Sequence, residues 1–286
     1  MRIAITSPAG KVDSEKLNRG ILFLKSRGHE VELGATCTAQ EFWTAGSAEL
    51  RAGEFQNFWC DKNVDAVWAA RGGFGCAHLL DKIDWSEIVK HRKLLCGHSD
   101  ISVLHIAFLK FGVSRSLSAA MPAVEFSEVS PEKLTVDSTF SLLDGDVSFV
   151  KDELRRCEVI SEGAAEGVLI PVTLSVLASL CGTAYLPDFK GAVLILEDVS
   201  ESAYRLDAYL NQLRLNGILS SISALVFGDF KNCGSEAELK YIYNKYSGFV
   251  DGPVLCALPF GHCSPRLSVP VGEGIKFRAC VDAIEL

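Results

Sequence analysis

Through the first hundred residues, short apolar runs alternate with amphipathic stretches, and this alternation restricts the possible folds more than any other feature of the chain. RIAIT reads as a strand, and SEKLNRGILFLKSRG then places Leu17, Ile21, Leu22 and Leu24 near one face of a helix that ends at Gly28. HEVEL is the next strand and SAELRAGEFQNFWCD the next helix. VDAVWAA is an apolar strand running directly into the loop Arg71-Gly72-Gly73-Phe74-Gly75, after which a helix is expected through HLLDKI. KLLCG is a further buried strand that turns at Gly97-His98-Ser99-Asp100 into the helix ISVLHIAFLKFG. Strand, helix, strand in repetition predicts a parallel sheet with covering helices.

At 286 residues the chain exceeds the size at which one core usually stops growing, so two domains are expected. The pattern weakens into polar segments between 121 and 160, which places the crossover near 148–160 and predicts domains 1–150 and 151–286. The second half returns to strands: GVLI, AVLILED, ISALVFGDF, GPVLCALPFGH and a single terminal alternating strand, GIKFRACVDAIEL, with a helix at AYRLDAYLNQLRLNG.

Hydrophobic residues are 48% and charged residues 22%, which excludes disorder as the main theme, and a net charge of −8 offers no electrostatic footprint for nucleic acid or an acidic membrane. No run of about twenty apolar residues predicts a membrane span, and MRIAITSPAG is too short an apolar stretch for a signal-peptide core. The ten cysteines contain no C-x-x-C pair and read as free thiols of a reducing cytoplasm. None of the six histidines forms an H-x-x-x-H or H-E-x-x-H pair, so neither a metal nor another cofactor is expected. The G-G-F-G loop is not followed by G-K-[ST], which argues against a nucleotide site.

Three places put a reactive side chain at the end of an expected strand: Gly97-His98-Ser99-Asp100, Leu196-Glu197-Asp198 and Phe260-Gly261-His262. Each has an ordinary structural reading, as a helix N-cap, a solvated strand end and a loop histidine. A serine nucleophile needs a base, a carboxylate to orient that base and N–H donors for the oxyanion, and the chain offers one of each. Ser99 would sit on the positive end of a helix, with the Asp100 backbone N–H and the Gly72-Gly73 loop as oxyanion donors. His98 should point away across the turn, and His105 lies two turns down the helix, so neither supplies the base easily.

Taken together these segments resemble the LD-carboxypeptidase family of serine peptidases, peptidase family S66, over almost the whole chain. Arg71-Gly72-Gly73-Phe74-Gly75 with Leu79-Leu80 and Ile83-Asp84-Trp85 is similar to the family's R-G-G-[YF]-G segment, and Gly97-His98-Ser99-Asp100-Ile101 to its nucleophile turn. Leu196-Glu197-Asp198-Val199 with Glu201 and Tyr204-Arg205-Leu206-Asp207 resembles its L-E-[DE]-[VI] block, and Phe260-Gly261-His262 with Pro270-Val271-Gly272 its final block.

The resemblance implies Ser99 as nucleophile, His262 as general base and acid, Glu197 as orienting carboxylate, and Asp100, Gly72 and Gly73 in the oxyanion hole. It implies a flavodoxin-like N-terminal α/β domain, a C-terminal domain with barrel-like strands, and a homodimer. The implied activity is release of terminal D-alanine from murein tetrapeptides in cytoplasmic cell-wall recycling. An exopeptidase must also hold a free carboxylate, for which Arg71 and Arg205 are the candidates. Two other readings stay open: a hydrolase of a peptidyl- or aminoacyl-nucleotide amide, as in microcin-immunity proteins, and a non-catalytic peptide-binding module. Gly167-Val168-Leu169-Ile170-Pro171-Val172-Thr173-Leu174 lacks the family's Gly-Gly-Asn turn, and Ser118-Ala119-Ala120-Met121 replaces H-G-P-M. These departures are read as leaving the three reactive residues untouched and bearing on substrate identity.

Overall fold

The structure, a computed structural model, describes residues 1–113, 115–281 and 283–286. It divides into two compact units, Met1–Val136 and Asp137–Leu286.

In the first unit, β1 (Arg2–Thr6), β2 (Glu30–Leu33), β3 (Ala66–Ala69), β4 (Leu94–Gly97) and β5 (Ser116–Ser118) run in the order β5-β4-β3-β1-β2, every pair parallel. This is the parallel sheet expected from the alternating pattern, wound in the flavodoxin-like order that the family resemblance implies. β3 and β4 are buried at every position, which is why they read as unbroken apolar runs. The order reverses between β1 and β3, and the loops leaving β1, β3 and β4 at their carboxyl ends include Ser7–Gly10, Arg71–Gly75 and His98–Ser99. The first helix spans Ser14–Ser26, capped by the Asp13 side chain, which accepts from the Glu15 and Lys16 N–H groups. It buries Leu17, Gly20 and Leu24, but Leu22 faces solvent. HLLDKI, expected as a helix, contributes only to a 3₁₀ turn at Cys76–Leu79, and one helical turn follows at Trp85–Ile88.

In the second unit, β6 (Glu158–Ser161), β7 (Gly163–Thr173), β8 (Val193–Val199), β9 (Ala224–Lys231), β10 (Val254–Cys256), β12 (Gly274–Cys280) and β13 (Ala283–Glu285) form one mixed, barrel-like sheet; β11 is Val269–Val271. The sheet order is β13-β12-β7-β8-β9-β10-β6, with a parallel centre β7-β8-β9-β10 and antiparallel flanks. The single terminal strand expected from the sequence is two: β12, with Ile275, Phe277 and Ala279 buried and alternate residues exposed, pairs antiparallel with β13.

The polar stretch 121–160 holds helices at Lys133–Leu143 and Ser148–Leu154. The first is hidden from a hydropathy reading because it buries hydroxyls. Ser138 and Thr139 are fully buried, the Ser138 Oγ accepting from the Ser268 N–H at 3.1 Å and the Thr139 Oγ1 lying 2.7 Å from Ser268 Oγ. No described helix is long and apolar enough to cross a membrane.

Candidate active site

Ser99 sits where β4 gives way to a 3₁₀ turn, Ser99–Ile101, that leads into the helix Ser102–Phe111. Its φ of +63° is in the left-handed region, a strained conformation for a residue with a Cβ and one that lifts the side chain out of a sharp strand-to-helix turn. Two histidines border the turn. The His98 Nε2–H donates to Glu125 Oε1 at 2.8 Å, while Glu125 Oε2 accepts from the Met121 N–H. The fully buried His105 donates through Nε2 to the Gly97 carbonyl at 2.8 Å, bracing the turn from below.

The Arg71–Gly75 loop lies directly against this turn. A Cβ on Gly72 would come within 2.7 Å of the Ser99 Cβ and 3.1 Å of both the Ser99 Oγ and the His98 carbonyl oxygen, so only glycine fits there. The Gly72 carbonyl accepts from the Gly10 N–H at 3.2 Å, tying the loop after β3 to the loop after β1. Asp100 has a role that the sequence did not reveal. Its side chain, 7% exposed, accepts from the Cys76 N–H at 2.8 Å and so holds the far end of the glycine loop. Burial lifts its carboxyl above the usual range, and the Cys76 N–H pulls it back only in part.

Arg51 was also missed by the sequence reading. It is 2% exposed and donates to the carbonyls of Gly46 at 3.0 Å, Pro8 at 2.6 Å and Gly75 at 2.9 Å, so one guanidinium fastens three loops. No spacing motif announces a buried arginine whose partners are backbone carbonyls far apart in the chain. Arg71 donates to the carbonyls of Gly72 at 3.1 Å and Lys11 at 3.3 Å.

In the second unit, Glu197 and His262 come together. Glu197, 2% exposed on β8, accepts the His262 Nδ1–H at Oε2 over 2.7 Å and the Thr173 hydroxyl at Oε1 over 2.5 Å. Thr173 stands opposite Glu197 in the β7-β8 register. This corrects the sequence reading: the departure at Pro171-Val172-Thr173 does touch the candidate triad, because Thr173 holds its carboxylate. Burial works against the imidazolium of His262, but the bond to Glu197 and its charge outweigh it, so the histidine lies above its ordinary value.

The register between β8 and β9 slips at Glu197, with Leu196 opposite Phe227 but Asp198 opposite Phe230. The extra residue of β9 turns toward the histidine loop, and the Asp229 N–H donates to the Phe260 carbonyl at 2.8 Å. Gly261, at φ +131°, has no room for a Cβ, which would lie 2.8 Å from the Glu197 Cβ. The buried Arg266 donates to the Gly261 carbonyl at 3.0 Å, and the Leu267 N–H donates to the Pro259 carbonyl at 2.6 Å, closing the loop on itself. Asp198 serves structure: Oδ2 accepts from the Ser175 N–H at 2.8 Å, and burial pushes its carboxyl up to about 6. Arg205, half-exposed, pairs with Glu201 at 2.8 Å and its guanidinium lies over the Tyr209 ring.

Known proteins are similar to this chain in sequence and in fold. The family model described as the LD-carboxypeptidase N-terminal domain matches residues 3–118, and that of the LD-carboxypeptidase C-terminal domain matches residues 166–277. The probable murein peptide carboxypeptidase of Bacillus subtilis is 32% identical over 94% of this chain and 86% of its own length. The microcin C7 self-immunity protein of Escherichia coli is 23% identical over 93% of this chain and 86% of its own. Among solved structures, muramoyltetrapeptide carboxypeptidase from Oxalobacter formigenes superposes with a TM-score of 0.84 at 28% identity, covering 99% of this chain and 97% of that one. The chain therefore belongs to the LD-carboxypeptidase family, peptidase S66, and its enzyme class is that of a serine-type carboxypeptidase.

Proposed function

We propose that the chain cleaves the L,D amide bond that releases terminal D-alanine from murein tetrapeptide, through an acyl-enzyme on Ser99. The Glu197–His262 bond carries this reading. It commits Nδ1 to the carboxylate and so fixes the tautomer in which Nε2 has a lone pair for a hydroxyl proton. In the reaction His262 takes the Ser99 proton as Oγ attacks the scissile carbonyl, and the Glu197 charge steadies the imidazolium that forms. The Asp100 N–H and the Gly72-Gly73 loop receive the oxyanion, its proximity to Ser99 supporting the loop's part in this. His262 then returns the proton to the departing amine of D-alanine. Water, deprotonated by the same imidazole, attacks the ester and releases the shortened peptide and free Ser99.

Of the two arginines considered for the terminal carboxylate, Arg71 is favoured, since it adjoins Gly72, whereas Arg205 is already neutralised by Glu201. The same reading has the enzyme acting in the cytoplasm as a homodimer, an assembly that sedimentation would report directly.

The likeness to a microcin self-immunity protein supports a second reading, hydrolysis of a peptidyl- or aminoacyl-nucleotide amide. Side-by-side turnover of murein tetrapeptide and an acyl-sulfamoyl adenosine separates the two. A fluorophosphonate should label Ser99 in either case, and lack of an adduct on folded protein would favour a non-catalytic peptide-binding module. Ser99→Ala should lose at least about a thousandfold in kcat while remaining folded; turnover at the wild-type rate in that variant would reject the assignment.

A further inference from the structure

Among the described residues, a cluster of soft and borderline metal-ligating groups lies in the first unit. Cys60 ends the helix Ala48–Cys60, Glu87 lies in the helical turn Trp85–Ile88, and His91 follows four residues after Glu87. Their ligating atoms all lie within 4.8 Å of one another. We propose that Cys60, Glu87 and His91 form a binding site for a zinc-class divalent cation, with water completing the tetrahedron.

Two features of the geometry carry this. The first is spacing. Ligands about 2.0–2.1 Å from zinc at the tetrahedral angle lie about 3.3 Å apart, and His91 Nε2 is 3.3 Å from Glu87 Oε1. That separation is long for a charge-assisted hydrogen bond, which prefers about 2.7–2.9 Å. The thiol edges reach at most 4.8 Å, against roughly 3.6 Å around a bound ion, so ion binding must draw the thiol in by up to about 1.2 Å. Glu87 presents a separate oxygen to the site, because Lys90 pairs with Oε2 at 2.6 Å and leaves Oε1 toward His91.

The second is rigidity. The residue before Cys60, Trp59, donates its indole N–H to the Ile88 carbonyl at 3.0 Å, and Gln56 Oε1 accepts from the Asp84 N–H at 2.8 Å. Asp84 in turn caps the turn that carries Glu87. The backbone segments bearing the three ligands are thus locked together before any ion arrives, which lowers the ordering required on binding. Side-chain exposures of 29% for His91 and 38% for Glu87 leave a path for the ion. A Cys-His-carboxylate set selects zinc and its neighbours over magnesium or calcium, which prefer all-oxygen ligands. On binding, the Cys60 thiol proton leaves to solvent and the thiolate bonds the metal.

Titrating chelator-treated full-length protein with Co(II) tests the site, since cobalt reports thiolate ligation by near-ultraviolet charge transfer and tetrahedral geometry by visible bands. One equivalent should bind with both signals, and Zn(II) should displace it. Cys60→Ser should abolish the charge-transfer band, and His91→Gln should weaken Co(II) binding at least about tenfold, with far-ultraviolet circular dichroism and Tm in chelator matching the wild type. The proposal is overturned if the folded wild type shows no thiolate band, or if the band persists unchanged in Cys60→Ser, which would place the metal on other cysteines. Should Cys60→Ser fail to fold, His91→Gln and Glu87→Gln decide: wild-type affinity in both overturns the site.

Discussion

Replacing Gly72 by alanine drives a methyl group into the turn that carries Ser99. The added carbon would lie 2.7 Å from the Ser99 Cβ and 3.1 Å from the His98 carbonyl. Ordinary carbon–carbon contact begins near about 3.5 Å, so the two segments must part by roughly 0.8 Å. The Ser99 Cβ cannot swing aside as a flexible tip would, because it is attached directly to backbone held at φ +63° between β4 and a helix. A displacement of about 1 Å at a reacting group costs on the order of a hundredfold in rate, so Gly72→Ala is expected to lose roughly 30- to 100-fold, or about 2–3 kcal/mol of barrier. Overpacking should also remove about 1–3 kcal/mol of stability. The second-order rate of fluorophosphonate labelling measures the reactivity of Ser99 without any assumption about the natural peptide, and thermal unfolding measures the stability. Gly53→Ala is the control: in the helix Ala48–Cys60 nothing lies within 4 Å of the added methyl group, so labelling should stay at the wild-type rate with no loss of Tm. Labelling of Gly72→Ala at the wild-type rate with an unchanged Tm would refute the close-approach argument.

Thr173→Val removes the hydroxyl donor from a buried carboxylate and should destabilise the chain by about 1.5–3 kcal/mol while lowering kcat, with Thr173→Ser restoring most of both; a neutral Thr173→Val in denaturant titration and turnover would sink the role given to it. Because His262 is raised in the folded state, the stability from its pairing with Glu197 is fully present below the unfolded value of about 6.5 and is lost as pH rises through the higher folded value. With His262 as the proposed base, turnover needs the neutral imidazole, so the rising limb of kcat/KM should lie above that of an ordinary histidine, and Glu197→Gln, which leaves burial as the dominant influence, should move it down; an unmoved limb would count against His262 as the base. Arg51→Met leaves three loop carbonyls without their donor and should cost about 3 kcal/mol in chemical denaturation, against a negligible change if solvent replaces the guanidinium.

The parallel sheet of the first unit was legible because β3 and β4 are buried on both sides and therefore written as unbroken apolar runs. The turn at Ser99 was legible because a short apolar strand, a glycine and a helical period follow one another within a few residues. Partners distant in the chain were not. Thr173 meets Glu197 only because two parallel strands are in register, and the clasp of Arg51 on Pro8, Gly46 and Gly75 depends on carbonyls that any residue could supply. The helix Lys133–Leu143 escaped notice because Ser138 and Thr139 occupy buried positions where a hydropathy pattern expects aliphatic residues. The split of the last strand into β12 and β13 escaped because apolar residues continue at odd positions through Val281 and Ala283, although β13 buries Ile284, out of phase with Ile275, Phe277 and Ala279.

The slipped pairing of β8 and β9 gives the imidazole an orientation set at a distance. The loop that carries His262 is held by the Asp229 N–H at Phe260 and by Arg266 at Gly261, so its heading depends on how β9 pairs with β8. Changes in β9 should therefore shift the heading of the proposed general base, and a deletion that restored regular pairing there should loosen the Asp229–Phe260 bond and with it the Glu197–His262 pair.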